Sequence, residues 1–207
     1  MSKSKHILLG YSGHGFVVAE AAIEAGITID YYADKSKVVN NPFELDFLGF
    51  EGDENFKGWG SGFTFVLGVG DNKIRTSLGN LVESKSEALL TIKHPTAEIS
   101  NSAAIGDGTF VSAHATVNAL SEVGKYVILN TNCIVEHECH IGDGVHIAPG
   151  AVLAGNVEVG KGSFIGANAV IKEGITIGED VIVGAGATII KDIPNAKKVV
   201  GNPGKEI

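Results

Sequence analysis

Three histidines and three acidic residues lie close together between residues 135 and 146, in the stretch VEHECHIGDGVH. Histidine ionises near neutral pH, so it can take a proton from a reacting amine or hydroxyl, and a neighbouring carboxylate stabilises the imidazolium that results. Glu138 directly follows His137, and His146 lies nine residues after His137. These residue types are compatible with a metal site, with a proton-transfer site, or with polar positions on a structural repeat.

A repeat of six residues organises the chain around this stretch. Every sixth residue from 99 to 189 is aliphatic, over sixteen successive positions: Ile99, Ile105, Val111, Val117, Val123, Leu129, Val135, Ile141, Ile147, Leu153, Val159, Ile165, Ile171, Ile177, Val183 and Ile189. An α-helix would need apolar spacing close to 3.6 residues, which a period of six does not provide. The repeat therefore predicts short strands joined by tight corners, in a parallel β-helix whose coils share one continuous core.

The amino-terminal part has a different pattern and carries the tryptophan and most of the phenylalanines. The segment KHILLGYSGHGFVVAEAAIEAG predicts a buried strand, a glycine loop and a helix. The helix has four residues on its predicted apolar face: Val17, Val18, Ala21 and Ala22. Two further predicted strands end at Asp34 and near Gly70. Strand ends beside a glycine loop and a helix N-terminus can bind phosphate and ribose in an open parallel sheet, although the glycine spacing here is not G-x-G-x-x-G.

The overall composition excludes several classes of partner. The formal net charge is −8, the pI is near 5.3 and no basic run is present, which argues against a nucleic-acid or anionic-membrane surface. No segment approaches about 18 successive apolar residues, so we expect no membrane insertion. Two cysteines, Cys133 and Cys139, are too few for a disulfide framework, and we expect a cytoplasmic protein.

Several motifs resemble those of known families. AIGDGTFVSAHATV, HIGDGVHIAPGAVLAGNVEVGKGSFIGANAVI and TIGEDVIVGAGATIIKDIP are similar to the left-handed β-helix of hexapeptide acyltransferases, over about residues 97–193. The glycine loop, GVGDNKIR, KHPTAEIS, ILNTNCIVEHECHIGDGVHIAPGAVLAGN and the closing VVGNPGKEI together resemble the NeuD/PglD-like sugar acetyltransferases over nearly the whole chain. The resemblance implies an α/β Rossmann-like domain at residues 1–93 that binds a sugar nucleotide, followed by a left-handed β-helix acetyltransferase domain at residues 94–207. The hand of the solenoid comes from this resemblance and not from the period.

The function implied by the resemblance is N-acetylation. Acetyl-CoA would donate its acetyl group to the 4-amino group of a UDP- or dTDP-linked 4-amino-4,6-dideoxy sugar, for a surface glycan or a glycoprotein glycan. The enzyme would be a homotrimer with active sites between subunits and with no metal. O-acetylation of sialic acid or a related sugar remains an alternative, because the same base and donor serve both reactions.

Two more distant alternatives are a zinc protein similar to carbonic anhydrase and a non-catalytic scaffold. His137, His140 and His146 are spaced three and six residues apart, which does not match the zinc family's ligand pattern. A zinc site would also leave the amino-terminal half unexplained. The adjacent His137 and Glu138 argue against a scaffold.

The resemblance assigns the catalytic roles residue by residue. His137 matches the general base, and Glu138 matches the acid that supports it. His146 matches a histidine that donates to the thioester carbonyl, and Asn130 matches a position near the reacting amine. We expect His140 and His114 to have no catalytic role. Direct transfer is expected, because Cys133 and Cys139 fall in core-facing positions where a buried thiol is unreactive.

Binding positions also follow from the resemblance. Besides His146, three residues match acetyl-CoA contacts: Gly155, Ala167 and Ala185. Four residues are expected around the phosphates of the nucleotide sugar: Ser12, Gly13, His14 and Gly70. His14 has the competing role of a helix-start residue. Asp34 and Lys35 are expected near the base or ribose. Tyr11 and the linker FEGDENFKGWGSG depart from the family pattern, which bears on acceptor specificity.

Overall fold

The computed structural model describes residues 5–207, which form an amino-terminal unit built on one parallel sheet and a carboxy-terminal solenoid. The elements of the first unit are β1 His6–Leu9, α1 Gly13–Glu24, β2 Tyr31–Ala33, β3 Asp46–Gly49, β4 Thr64–Leu67, α2 Asn72–Ser84 and β5 Ala88–Leu89. Their strands are ordered β3-β2-β1-β4-β5 and all pair in parallel, in a sheet that we call sheet 1. No helix among these residues combines the length and the apolar character needed to cross a bilayer.

Sheet 1 is covered on both faces, as near-continuous apolar strands predict. Leu8 and Val66 face α1, whereas Ile7 and Phe65 face the side on which α2 packs. The buried stripe of α1 contains Gly15, Val18, Ala19 and Ala22 at helical spacing. Val17 lies off this stripe and is 42 % exposed, so its predicted place on the apolar face was wrong.

The solenoid consists almost entirely of two-residue strands in three sheets. Sheet 2 contains β6 Ile92–Lys93, β9 Phe110–Val111, β12 Ile128–Leu129, β15 His146–Ile147, β18 Phe164–Ile165, β21 Ile182–Val183, β23 Lys198–Val200 and β24 Lys205–Glu206. Sheet 3 contains β7 Glu98–Ile99, β10 Thr116–Val117, β13 Ile134–Val135, β16 Val152–Leu153, β19 Val170–Ile171 and β22 Thr188–Ile189. Sheet 4 contains β8 Ala104–Ile105, β11 Glu122–Val123, β14 His140–Ile141, β17 Glu158–Val159 and β20 Thr176–Ile177. All pairs are parallel except β23 with β24.

The predicted six-residue repeat is confirmed, because each hexapeptide forms one side of a coil. Paired residues such as Val117 and Val135 are eighteen residues apart, so three hexapeptides make one coil. The second residue of each strand from β9 to β22 points inward, and the predicted aliphatic residues from Val111 to Ile189 are at most 4 % exposed. Ile99 and Ile105, in the first coil, are only partly buried against the same core.

The corners repeat one backbone feature, a residue with a left-handed φ at every sixth position. Ten of these positions from residue 108 to 186 hold glycine, asparagine or aspartate: Gly108, Asn132, Gly144, Gly150, Asn156, Gly162, Asn168, Gly174, Asp180 and Gly186. These residue types adopt that conformation at the lowest cost. His114, Leu120, Tyr126 and Glu138 occupy the same position with larger side chains.

Leu120 provides a test of this corner rule, since it has a φ of 62° and is 60 % exposed. We expect Leu120→Asn to stabilise the fold by about 1 kcal/mol, because asparagine removes a steric cost and little apolar burial is lost. Calorimetry at fixed protein concentration should then show a melting temperature about 2–4 °C higher. Asn156→Leu, two coils further along the same corner, should lower it by a similar amount. Unchanged melting in both variants would contradict the rule.

Candidate active site

The His137–Glu138 pair lies at the corner between sheets 3 and 4, where both side chains are about half exposed. Nδ1 of His137 is 3.0 Å from Oε2 of Glu138. When Nδ1–H donates to the carboxylate, Nε2 keeps its lone pair and can accept a proton. Glu138 takes the left-handed corner position, with a φ of 61°, where the other coils favour glycine or asparagine.

Gly155 lies directly against this pair, one coil further towards the carboxyl terminus. A Cβ at this position would be only 2.6 Å from Nε2 of His137, so the imidazole occupies space that any larger residue would block. The backbone N–H of Asn156 donates to the carbonyl of His137 at 2.8 Å. The corner therefore offers an imidazole lying over a side-chain-free stretch of backbone.

His146 occupies a different part of the solenoid, the first position of β15 in sheet 2, and not a coil corner. Its Nε2 is 3.0 Å from Nδ2 of Asn130. The amide orientation of Asn130 is fixed because its Oδ1 accepts from the N–H of Thr131 at 2.8 Å. Nδ2 therefore donates and Nε2 of His146 accepts. Donation from that Nε2 to a thioester carbonyl requires Asn130 to move away first.

His14 connects the glycine loop of the first unit to sheet 2. Its ring centroid is 5.4 Å from that of Phe110 and 6.5 Å from that of His146. Burial, assisted by the charge of Arg75, lowers the pKa of His14 to about 4. Its Nε2 is buried and has no hydrogen-bond partner within residues 5–207. The N-cap of α1 is Ser12, so a helix-start role does not explain this side chain.

The carboxyl edge of sheet 1 gathers the other predicted acceptor residues. Asp34 follows β2, and its two oxygens accept from the N–H groups of Tyr11 at 3.1 Å and Lys35 at 2.7 Å. The Tyr11 side chain turns into the core, where its hydroxyl accepts from the N–H of Phe43 at 3.1 Å. Tyr11 therefore departs from the family pattern without presenting its ring to the site.

Arg75 on α2 was missed by the sequence reasoning, although the motif GVGDNKIR contains it. It is 1 % exposed and donates to backbone carbonyls of both units. Nη1 donates to Gly70 at 2.8 Å, Nε to Tyr126 at 2.7 Å and Nη2 to Gly144 at 2.9 Å. Burial lowers its pKa to about 10, so it remains a cation at neutral pH. A single arginine in a helical segment gives no sequence signal that it is buried between two units.

The predicted site residues form two separate groups within one chain. His137, Glu138 and Gly155 lie at the corner between sheets 3 and 4. The second group is on or beside sheet 2, either at its corner with sheet 3 or on the adjoining edge of sheet 1: Asn130, Ala167, Ala185, His146, Ser12, Gly13, His14, Asp34, Lys35 and Gly70. His146 follows His137 by nine positions, which is half of an eighteen-residue coil, so the two side chains lie on opposite sides of the core.

The cysteines and the other histidines do not form an alternative centre. Cys133 and Cys139 are unpaired and buried, and burial raises the pKa of the Cys133 thiol to about 12 and raises that of Cys139 as well. His140 projects from sheet 4, with Nδ1 3.5 Å from Glu122. In the part of the chain that the structure describes, no three histidine, cysteine or acidic side chains are placed to hold a metal ion.

Comparison with known proteins identifies both units. Residues 5–82 match the family model described as the PglD N-terminal domain, and residues 121–155 and 156–191 match the bacterial transferase hexapeptide model. The acetyltransferase domain of PglB from Neisseria gonorrhoeae is 35 % identical, over 99 % of this chain and 100 % of that one, with a TM-score of 0.90. It has also been solved with acetyl coenzyme A.

Two further solved structures are similar over their whole length. PerB from Caulobacter crescentus, solved with CoA and GDP-perosamine, is 31 % identical over 100 % of this chain and 98 % of that one, with a TM-score of 0.91. WeeI from Acinetobacter baumannii is 25 % identical over 99 % and 100 % of the two chains, with a TM-score of 0.87. These matches confirm the predicted fold class, a parallel α/β unit followed by a β-helix of hexapeptide repeats. The chain belongs to the NeuD/PglD-like family of acetyl-CoA-dependent sugar acetyltransferases.

Proposed function

We propose that this protein transfers the acetyl group of acetyl-CoA to the 4-amino group of a nucleotide-linked 4-amino-4,6-dideoxy sugar. The observation that carries the proposal is the His137–Glu138 pair, whose Nε2 is free at an exposed corner beside Gly155. UDP and dTDP are the nucleotides we propose, and GDP belongs in any test because PerB was solved with GDP-perosamine. The product would serve a surface or glycoprotein glycan, made in the cytoplasm, whose reducing conditions suit two unpaired cysteines.

The chemistry is a direct displacement. The amine lone pair attacks the thioester carbon, the carbonyl electrons move to oxygen, and Nε2 of His137 takes the proton that the amine loses. Glu138 stabilises the imidazolium through Nδ1. The tetrahedral intermediate then collapses with cleavage of the C–S bond, and the departing thiolate receives the proton from His137. No covalent enzyme intermediate is needed.

The donor groove would run between adjacent protomers. Gly155 leaves room beside the base, and Ala167 and Ala185 give the corner between sheets 2 and 3 small side chains that a pantetheine arm could pass. These residues lie at two different corners of one chain, so a single groove can include them only between two chains. We therefore propose a homotrimer with closed symmetry. An apolar column on sheet 3, Ile134, Val152 and Val170, supports this association.

Replacement of the base tests the mechanism. We expect His137→Ala to lower kcat by about 10²–10⁴-fold with little change in the melting temperature, since the side chain is exposed and removing a general base costs that much. The assay is CoA release detected by a thiol reagent, with UDP-, dTDP- and GDP-linked 4-amino-4,6-dideoxy sugars as acceptors.

His140→Ala is the matched control for this variant, because His140 is also exposed and also next to a carboxylate but lies on sheet 4. It should keep wild-type activity. CMP-sialic acid and free sialic acid complete the panel, and turnover on these alone would favour O-acetylation. Full activity in His137→Ala would remove the proposed base.

The cysteines provide a test of direct transfer. We expect iodoacetamide at pH 8 to leave activity unchanged, because the raised pKa values of Cys133 and Cys139 leave almost no thiolate to react. Mass spectrometry should find both thiols unmodified until the protein is unfolded. A Cys133→Ala, Cys139→Ala double variant should remain active, and its inactivity in a folded state would point to an acyl-enzyme.

Mixed trimers test whether the site is shared between protomers. His137→Ala and the double variant Asn130→Ala, His146→Ala should each be inactive alone. Co-expression in equal amounts should restore about a quarter of wild-type activity in the unfractionated mixture and about a third in purified mixed trimers, because one of the three sites of each mixed trimer combines an intact dyad with an intact neighbour. Purification through two different tags isolates the mixed assemblies. No restored activity in verified mixed trimers would mean that one chain supplies the whole site.

A further inference from the structure

We infer that Arg75 is a positioning residue that fixes the acceptor-binding loop, residues 68–72, against the solenoid strand that carries His146. The inference rests on the proposed function, because it concerns where an acceptor bound at that loop meets the transfer site. Arg75 itself touches no predicted ligand and is fully enclosed by protein. Its hydrogen bonds connect the acceptor-binding loop of the first unit to the backbone of the solenoid.

Nη1 of the guanidinium donates to backbone carbonyls of the loop, whereas Nε and Nη2 donate to backbone carbonyls of the solenoid. Nη1 is 2.8 Å from the carbonyl of Gly70 and 3.3 Å from that of Val69. Nη2 is 2.9 Å from the carbonyl of Gly144 and 3.4 Å from that of Val145, the residue directly before His146. A planar group with fixed donor directions sets the distance between these two backbone segments.

Asn72 extends the same connection by one more coil. Its Oδ1 accepts from Nη2 of Arg75 at 2.9 Å, and its Nδ2 donates to the carbonyls of Gly162 and Ser163, both at 3.0 Å. Among residues 5–207 no carboxylate forms an ion pair with Arg75. Carbonyl and amide oxygens satisfy the buried cation instead, so its contribution is to hold several backbone segments together.

The charge of Arg75 also acts on His14 and His146. These two rings face each other across the contact between the acceptor-binding loop and the solenoid, which we call the joint. Burial is the main cause that lowers the pKa of His146 to about 3 and that of His14 to about 4, and the guanidinium adds to both effects. Both rings are therefore neutral at physiological pH. A neutral His146 can accept the hydrogen bond from Asn130, whereas an imidazolium could not.

The experiment compares Arg75→Lys, Arg75→Gln and Asn72→Ala with the wild type in steady-state kinetics. For the nucleotide sugar we expect kcat/KM to fall about 10–100-fold, as small misplacements of a reacting group do. KM for acetyl-CoA should stay within about twofold, because Arg75 contacts neither the dyad nor the corner that holds Ala167 and Ala185, and His146 is expected to meet the donor only at the thioester carbonyl. Asn72→Ala removes hydrogen bonds from the same joint, and its side chain is only partly buried. This variant therefore still tests the inference if both Arg75 variants fail to fold.

Ile177→Val is the control for loss of stability, since Ile177 is buried in sheet 4 away from the joint. It should lower the melting temperature without changing either KM. A parallel change of both KM values in the joint variants, or an unchanged kcat/KM for the sugar in folded protein, would overturn the inference.

A readout that does not need turnover separates this inference from the proposed function. Imidazole NMR signals of His146 should move in Arg75→Gln, and that ring should titrate at a higher pH than in the wild type, because the guanidinium contributes to its lowered pKa. If the wild type acetylates no sugar in the panel, the proposed function fails. Unchanged His146 signals would then show independently that Arg75 does not hold this strand.

Discussion

The solenoid depends on one constraint, that strands of two residues cannot stand alone and are held by the coils on either side. Each coil side receives its hydrogen bonds from residues one coil earlier and one coil later. The corner that carries His137 shows this directly, since Glu138 donates to the carbonyl of Ala119 at 2.9 Å and Asn156 donates to that of His137 at 2.8 Å. The imidazole is exposed, yet the backbone that carries it is fixed from both sides. The proposed base would therefore need little reorganisation to meet its substrate.

A second consequence is that the number of residues separating two positions determines on which sides of the core they lie. Eighteen residues return the chain to the same side, so His137 and Gly155 are neighbours, whereas nine residues bring it to the opposite side. The motif that contains both histidines is short in the sequence, but its two histidines lie on opposite sides of the core. This separation explains why the resemblance could assign roles to both side chains while one chain cannot bring them together.

The parts of the fold that follow a period could be predicted from the sequence, and the parts that depend on contact between the two units could not. Inward aliphatic residues recur every sixth position whatever lies outside the solenoid, so the coils were predictable. The environment of Arg75 depends on α2 meeting coils more than fifty residues further on, at Tyr126 and beyond. The contact of His146 with His14 likewise depends on how the first unit packs on the solenoid, and the exposure of Val17 depends on which face of α1 packs on sheet 1.

The register of the solenoid also limits how such a protein can change in length. An insertion of eighteen residues would add one complete coil and a deletion of eighteen would remove one. In both cases every residue beyond the change would keep its side of the molecule. A change of six residues would preserve the inward aliphatic pattern but turn everything beyond it by one side, so that corner residues such as Ala167 would move to another corner. Length variation among functional descendants should therefore come in whole coils, so that Ala167 and the corner that carries His137 keep their positions around the core.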